Sequence, residues 1–246
     1  MDTKVIEFRL KIVLFALIFC NSLIFAQKVD SSGVYINKKG KPVIKTGAEV
    51  YFGINPAFTF RSLKPNPGLF SKPLGARAEE KGKFGLSYNI GFRKTLNKFL
   101  FIDLGFSFLR YQEQFSTTKD STYAYTNTYR YIGIPLKLGV QFGDKFKWQV
   151  SAGIIPKMFL NEVQNIDYKD ANNLEQKKKL KFRDDFNFFT VDAVVSAGFR
   201  WNFSRNVGFY FLPEARWQLS NTFQKQNGYI QKAFAYGFAV GLSVLL

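Results

Sequence analysis

Large apolar and small residues alternate strictly over the last thirteen residues of the chain. From Phe234 to Leu246 every even-numbered position is large and apolar, and the odd-numbered positions are Ala, Gly or Ser until Leu245. A period of two places successive side chains on opposite faces of a strand. A soluble sheet normally has polar residues on its second face, so this pattern indicates a strand between lipid and a crowded barrel lumen.

Seven earlier segments repeat this period, each roughly 12–16 residues long against about 5–6 for an average strand. They are Gly47–Phe60, Phe84–Thr95, Lys98–Glu113, Thr128–Phe142, Phe146–Leu160, Phe189–Phe203 and Val207–Ser220. With the closing stretch they predict an all-β fold, an eight-stranded antiparallel up-and-down transmembrane β-barrel over residues 47–246. Pro135, Pro156 and Pro213 each predict a bulge or a local gap in the ladder of the strand that carries them.

The connections between these segments alternate in length. The short connections are Asn97–Lys98, Gly143–Lys145 and Ser204–Asn206. The long polar connections are Arg61–Lys83, Gln114–Asn127 and Asn161–Asn187, followed by a shorter one at Asn221–Lys232. Outer-membrane barrels have short periplasmic turns and long outer loops, so both chain termini are predicted to be periplasmic.

The first 46 residues differ from the rest. Residues 1–26 are interpreted as a signal peptide, because basic residues precede an apolar run over positions 12–19 and Ala26 precedes the expected cleavage site. Residues 27–46 are polar and basic and are interpreted as a short periplasmic segment with a brief hairpin around Asn37–Gly40. Export by a signal peptide and a membrane barrel together predict a location in the cell outer membrane.

Composition narrows the possible functions. The chain has no His and a single Cys20, which lies in the predicted signal peptide. His-based catalysis and thiolate metal sites are therefore excluded for the mature chain, and we predict no enzyme activity, no metal and no cofactor. The net charge of +17 favours an anionic partner. We expect outer-membrane lipid and lipopolysaccharide, with envelope proteins as further candidate partners, no nucleic acid, and a monomer.

The alternation assigns eight charged side chains to the barrel lumen, four of each sign. They are Glu49, Arg93, Asp103, Lys137, Asp192, Arg200, Glu214 and Arg216. Unpaired charges in a narrow lumen would be costly, so we predict a salt-bridged network that closes the lumen and fixes the strand register. The alternative is a gated path for small ions through the same residues.

A soluble lipocalin-type barrel also follows a signal peptide and also alternates. Its polar face would point to water and would carry many charged residues. Here the second face is poor in charge and rich in Gly, Ala, Ser and Asn, as a narrow lumen requires. The pattern therefore favours the membrane barrel.

Aromatic and basic residues near predicted strand ends suggest two surface features. The aromatic residues expected to form interfacial girdles are Tyr111, Tyr129, Trp148, Trp201 and Trp217. The basic run Lys177–Arg183 lies in the predicted loop Asn161–Asn187. We interpret it as a solvated charge run, with contact to lipopolysaccharide phosphates as the alternative.

Two stretches carry a family resemblance. Tyr131–Gly139 reads Tyr-Ile-Gly-Ile-Pro-Leu-Lys-Leu-Gly, and Phe211–Trp217 reads Phe-Leu-Pro-Glu-Ala-Arg-Trp. Both resemble strands of the PorT-like outer-membrane β-barrel proteins of Bacteroidota, with Trp217 where that family has Tyr. The resemblance covers predicted strands four to eight. It implies an eight-stranded barrel shaped like the transmembrane domain of OmpA. A few family members serve type IX secretion and gliding, and most have no assigned activity.

These observations together predict an integral outer-membrane barrel with a closed polar lumen. Its expected role is structural, or that of an interaction platform through the outer loops. One alternative is a component of a type IX secretion or gliding apparatus. The other alternative is a narrow, porin-like passive pore for small ions or solutes.

Overall fold

The computed structural model describes residues 34–36, 42–44, 47–66, 75–116, 123–143, 145–169, 174–204, 206–224 and 228–246. The chain divides into two compact units, residues 1–45 and 46–246. In the first unit, β1 (Val34–Ile36) and β2 (Pro42–Ile44) pair antiparallel, as the predicted hairpin requires. The turn of that hairpin and the predicted signal peptide lie outside the described residues.

The second unit is one antiparallel sheet of ten strands, so the predicted all-β fold class is confirmed. A 3₁₀ turn, Gly75–Glu79, lies between the first two of these strands. The strands are β3 (Ala48–Pro65), β4 (Lys81–Thr95), β5 (Leu100–Ser116), β6 (Tyr123–Gly133), β7 (Leu136–Phe142), β8 (Phe146–Lys169), β9 (Glu175–Phe182), β10 (Phe189–Asn202), β11 (Val207–Gln218) and β12 (Tyr229–Leu245).

The sheet closes on itself because β12 pairs with β3. β6 and β7 both lie between β5 and β8, and together they make the fourth member of a ring of eight; β9 pairs only with β8. Cross-strand partners followed once around the ring lead from Glu49 to Thr59, a displacement of ten residues. With the usual strand rise and spacing, this corresponds to a strand tilt of about 41°.

The three prolines lie at gaps in the ladder, as predicted. Pro135 separates β6 from β7, and pairing with β8 is interrupted there and opposite Pro156. The Ile134 N–H donates to the Pro156 carbonyl at 2.9 Å, which partly bridges this gap. Pairing between β10 and β11 is likewise interrupted at Pro213. A missing N–H is tolerated at these positions because the ladder is already open.

The barrel is polar inside and apolar outside. Its largest fully buried side chains include Arg200, Arg216, Lys157 and Gln149. Many large apolar side chains are exposed on the outer wall, for example Leu138 at 57% of its area. A water-soluble fold would expose an unsustainable apolar area in this way, whereas in lipid it is the stable arrangement.

In the part of the chain that the structure describes, no helix combines the length and the apolar character needed to cross a membrane.

The predicted aromatic girdle is correct only in part. Trp148, Trp201 and Trp217 are exposed on the outer wall. Tyr111 and Tyr129 are buried inside the barrel at 3% and 1% exposure, so their assignment to the membrane interface is wrong. Tyr111 and Asp103 are separated by an even number of residues along β5, so both side chains point inward. The alternation along the strand, and not the closeness to a strand end, decides where Tyr111 lies.

Four strands extend beyond the apolar band at the end of the long loops. Outward positions of β5 change there from Phe108 to Arg110 and onward to polar residues. This part, the projecting sheet, comprises Arg110–Ser116, Tyr123–Arg130, Asn161–Lys169 and Glu175–Phe182.

The projecting sheet corrects two predicted loops. Parts of Gln114–Asn127 and Asn161–Asn187 are strand, including the whole of β9. The reason is an apolar cluster on the inner face of the projecting sheet. Its members are Phe115, Tyr125 and Ile166, with Leu180 packed against them.

Candidate functional site in the lumen

All eight predicted lumen residues lie inside the barrel. Six are buried, and the side chains of Lys137 and Glu214 retain 8% exposure each. They fall into three ion-paired groups rather than one network, and a fourth group near the long loops contains none of them. The groups include residues that the sequence prediction left out.

The group nearest the short turns contains four of the predicted residues. Arg93 and Asp103 are cross-strand partners of β4 and β5, and Nη2 of Arg93 lies 2.8 Å from Oδ2 of Asp103. Arg93 also donates to the Gln149 side chain at 2.7 Å, and the Tyr51 hydroxyl donates to Asp103. Glu49 is paired with Arg200 at the same end. Each buried charge therefore has an opposite charge or a hydrogen-bond partner.

Two tyrosines fill the space that glycines leave in this half of the lumen. A Cβ atom at Gly91 would overlap the ring of Tyr51, and one at Gly53 or Gly241 would meet the hydroxyl of Tyr210. Tyr51 and Tyr210 pack edge to face with their centroids 5.8 Å apart. Glycine is required at these positions because the aromatic rings cross directly over the neighbouring backbone.

The middle group joins the two motifs of the family resemblance. Lys137 Nζ lies 3.4 Å from Glu214 Oε2, and Arg216 Nε lies 3.4 Å from Glu214 Oε1. Asn55 bridges the pair: its amide donates to Glu214 at 3.0 Å, and its carbonyl oxygen accepts from Arg216 at 3.0 Å. The cavity beside these residues has a volume of about 20 Å³. That is room for about one water molecule, not for a continuous column.

Asp192 belongs to a third group, whose cation is Lys157. Lys157 Nζ lies 2.6 Å from Oδ1 of Asp192, and the Tyr111 hydroxyl donates to Oδ2 at 2.5 Å. The ammonium group also lies over the rings of Tyr111 and Tyr131, 4.3 and 4.4 Å from their centroids. Lys157 has the same parity along β8 as the buried Gln149, but it was not among the eight predicted residues. Its pairing with Asp192 follows from the β8–β10 register.

The fourth group closes the mouth at the loop end. Arg61 is paired with Glu80 and, at 2.9 Å, with Glu113. The Tyr125 hydroxyl donates to Glu80 at 2.7 Å. Arg77, in the 3₁₀ turn, has its guanidinium 3.8 Å from Glu80. Sequence reasoning missed this group because it assigned Arg61, Arg77 and Glu80 to a loop, and loop residues have no predictable register.

The mouth group lies beyond the apolar band, and the pKa values of Glu113 and of the neighbouring Glu162 are both raised. Burial raises the pKa of Glu113 to about 7, outweighing the lowering effect of Arg61 and Arg77. Burial also raises the pKa of Glu162, against the effect of Arg77. Part of the mouth group is therefore expected to change its charge near neutral pH.

Aromatic side chains from two further connections cover the mouth. Phe186 stacks on Phe159 with centroids 4.4 Å apart and contacts Phe223 at 5.0 Å. Phe186 and Phe223 also pair as an isolated β-bridge. Arg77 lies over the rings of Phe223 and Tyr229, 5.4 Å from each centroid. The lumen is thus filled by ion pairs and covered by aromatic rings at its loop end.

Within the described ranges, no group of three or more acidic, His or Cys side chains is placed to hold a metal ion.

The ring of strands is closed, with polar side chains inside and apolar side chains outside. These two features define a membrane-spanning β-barrel. The family model of the outer membrane protein beta-barrel domain matches residues 25–224. This match covers more than half of the chain, and the protein therefore belongs to that family of outer-membrane barrels. No curated protein matches the sequence significantly.

Solved outer-membrane barrels are similar to the chain at low identity. Neisserial surface protein A shares 11% identity with a TM-score of 0.42, covering 80% of this chain and 96% of that one. OprG from Pseudomonas aeruginosa shares 10% with a TM-score of 0.42, covering 82% and 96%. The outer membrane protease OmpT from Escherichia coli shares 7% with a TM-score of 0.47, covering 83% and 99%.

Proposed function

We propose that the protein is a closed outer-membrane barrel that acts as a structural element and as an interaction platform through its loop end. The observation that carries this proposal is the filled lumen. Lys157 and Asp192 are both fully enclosed where a conduction path would have to run, with side-chain exposures of 0% and 1%. Opening a path there would separate a buried ion pair, which typically costs several kcal/mol.

Conductance in a planar lipid bilayer tests the closed lumen against the passive pore. We expect the purified, folded protein to insert without steady unitary conductance above background. A general porin reconstituted in parallel shows that insertion is detected. Heat-modifiable mobility on a gel establishes that the sample is folded. Steady, reproducible conductance steps from the folded protein would contradict the proposal.

The projecting sheet supports the interaction role. Among the described residues, β9 pairs with one strand, β8, which makes it an edge strand of the sheet. Such an edge can add a strand from a partner. Its exposed side chains include Lys177, Lys178 and Lys179, which favour an acidic partner surface.

We also propose a monomer surrounded by outer-membrane lipid and lipopolysaccharide, with the long loops outside and both termini in the periplasm. The role that we propose is non-catalytic. The sequence has no His, and the lumen carboxylates of Glu49, Asp103, Asp192 and Glu214 all face Lys or Arg.

A component of a secretion apparatus is the second candidate. The middle ion-paired group favours it, since Lys137 comes from one motif of the PorT-like resemblance and Glu214 and Arg216 come from the other. Because the two motifs meet in one cluster, they support membership of the PorT-like family, of which a few members serve type IX secretion. Crosslinking in cells followed by purification tests this candidate. Recovery of defined envelope proteins is expected, and a monomer without partners would contradict it.

A further inference from the structure

Two arginines lie directly opposite each other on the outer wall of the barrel. Arg110 of β5 and Arg130 of β6 are cross-strand partners. Two residues closer to the short turns, on the same face, lie Phe108 and Ile132, which are also partners. Ile132 is exposed at 37%. The arginine pair therefore marks the edge of the apolar band that faces the long loops, where lipid head groups meet the barrel.

Aromatic side chains hold one of these arginines at that edge. The Arg110 guanidinium lies 5.2 Å from the ring centroid of Phe108 and 5.7 Å from that of Tyr88. Both rings belong to the outer wall. The charged group is thereby kept beside the band rather than extending into water.

The pair has no compensating carboxylate among the described residues. The lumen and mouth arginines Arg61, Arg93 and Arg200 each contact an acid. By contrast, Arg110 and Arg130 form no ion pair with any described carboxylate. Their Nε atoms are buried without a hydrogen-bond partner, as are those of Arg93 and Arg200, so the missing carboxylate is what sets the pair apart. Like charges directly opposite each other destabilise a sheet, so this arrangement needs an anion from outside the described chain.

The neighbouring row of the projecting sheet adds positive charge. Following the register outward from the pair, this row runs Lys83, Gln112, Thr128, Val163, Lys181. It carries Lys at both ends and no acid. On β8, Arg130 pairs with Asn161, and the next positions on the same face are Val163, Asn165 and Asp167. Asp167 is therefore the first acid on this face of β8. Thr128 and Val163 in this row are buried, and its only charged members, Lys83 and Lys181, are both basic.

We propose that Arg110 and Arg130 form a binding site for the phosphate group of an anionic membrane lipid. The two guanidinium groups bind the phosphate, and the acyl chains lie along Phe108 and Ile132 below it. The apolar wall under the arginines is what favours a lipid over a free anion. The proposal rests on the outer-membrane location. The proposed orientation adds that the lipid is in the outer leaflet, where lipopolysaccharide carries such phosphates.

Binding of lipid A to the purified protein in neutral detergent tests the site, with native mass spectrometry as the readout. We expect the wild type to retain bisphosphorylated lipid A, and Arg110→Gln/Arg130→Gln to bind it at least tenfold more weakly. Lys94→Gln/Lys98→Gln removes two positive charges near a short turn and should bind like the wild type. Equal retention by the arginine and the lysine variants would overturn the proposal.

The phosphate requirement is tested on the wild type alone, so it does not depend on how a variant folds. Dephosphorylated lipid A should be retained at least tenfold less than the bisphosphorylated form. Millimolar inorganic phosphate should not displace the lipid. Equal retention of both lipids would show acyl-chain binding only, and displacement by inorganic phosphate would show a free-anion site; either result overturns the lipid assignment.

The sign of a stability effect gives a third readout. In neutral detergent, Arg130→Gln should leave the unfolding midpoint in urea unchanged or raised, because it removes a like-charge contact. With bisphosphorylated lipid A present, the same variant should unfold at lower urea than the wild type. A variant that is destabilised equally with and without lipid would indicate a purely structural arginine. Failure of this site would leave the closed lumen untouched, since conductance tests the lumen separately.

Discussion

The two ends of the barrel interior are built from different parts of the chain. Near the short turns, Arg93 and Asp103 are neighbours in the strand register and fill the lumen without help from any connection. At the loop end, Arg77, Glu80 and Phe223 come from connections that fold back over the mouth. The turn end is therefore determined by strand periodicity, and the loop end depends on how the connections pack.

The largest expected effect comes from overfilling the turn end. Gly241→Arg should prevent assembly, because a side chain there starts 2.6 Å from the Cα of Gly53 and 2.7 Å from the Tyr210 hydroxyl. Gly237→Arg, at the level of Glu214 in the middle of the lumen, should behave in the same way, since its Cβ would lie 2.7 Å from that of Ala57. Loss of the heat-modifiable folded band on a gel is the measurement.

Lys232→Arg is the matched control, since it introduces Arg at an exposed position of the same strand. It should fold normally. Normal folding of both glycine variants would mean that the inward and outward faces are reversed.

The next largest effect is expected when the Lys157–Asp192 ion pair inside the barrel is broken. Lys157→Met leaves the buried carboxylate of Asp192 without its cation and should cost about 3–5 kcal/mol of unfolding free energy. Urea unfolding followed by tryptophan fluorescence measures it. Adding Asp192→Asn should recover part of the loss, because no uncompensated charge then remains. Equal destabilisation in the single and the double variant would show that the two side chains are not coupled.

A smaller effect at the loop end depends on pH. Burial raises the pKa of Glu113 from the ordinary 4.5 to about 7, so the folded state binds the proton more tightly than the unfolded state does. The contribution of Glu113 to stability is then fully present below pH 4.5 and is lost as the pH rises to about 7, by at most about 3 kcal/mol. Urea unfolding between pH 4 and 8, roughly the range of this transition, should show the trend weakened in Glu113→Gln. An identical pH profile in the variant would contradict the assignment.

The smallest effect is expected on the outer surface of the projecting sheet. Lys179→Gln changes an exposed residue of β9 with no described ion pair and should alter the unfolding free energy by less than about 0.5 kcal/mol. Urea unfolding under the same conditions as for Lys157→Met gives the direct comparison. A loss above 1 kcal/mol, roughly the most that an exposed pair contributes, would mean that β9 carries structural charge contacts.

The period of two was enough to predict the fold class and to place residues such as Arg93, Asp103 and Lys137 inside. It could not give the partners, because ion pairs depend on register between strands that are far apart in sequence. Lys157 shows this limit: it lies at an inward position of β8, but its pairing with Asp192 follows only from the β8–β10 register.

The extensions of β8 and the strand β9 could not be predicted for a different reason. The stretch Glu175–Phe182 is mostly polar on both faces, so it has no hydrophobic period to detect. Its apolar residue Leu180 becomes informative only when Phe115, Tyr125 and Ile166 are seen beside it. A period of two appears in the sequence only where one face of a strand is buried. The hairpin of β8 and β9 buries very little.

Tryptophan quenching in lipid vesicles tests most directly whether the apolar outer wall of the barrel contacts lipid, and it needs no substitution. Trp148, Trp201 and Trp217, the three tryptophans of the chain, are exposed on the outer wall at 51%, 48% and 40%. Phospholipids with brominated acyl chains should therefore quench their fluorescence strongly, while aqueous iodide should quench it weakly. Strong quenching by iodide with no response to the brominated lipids would contradict a barrel whose apolar face meets the membrane.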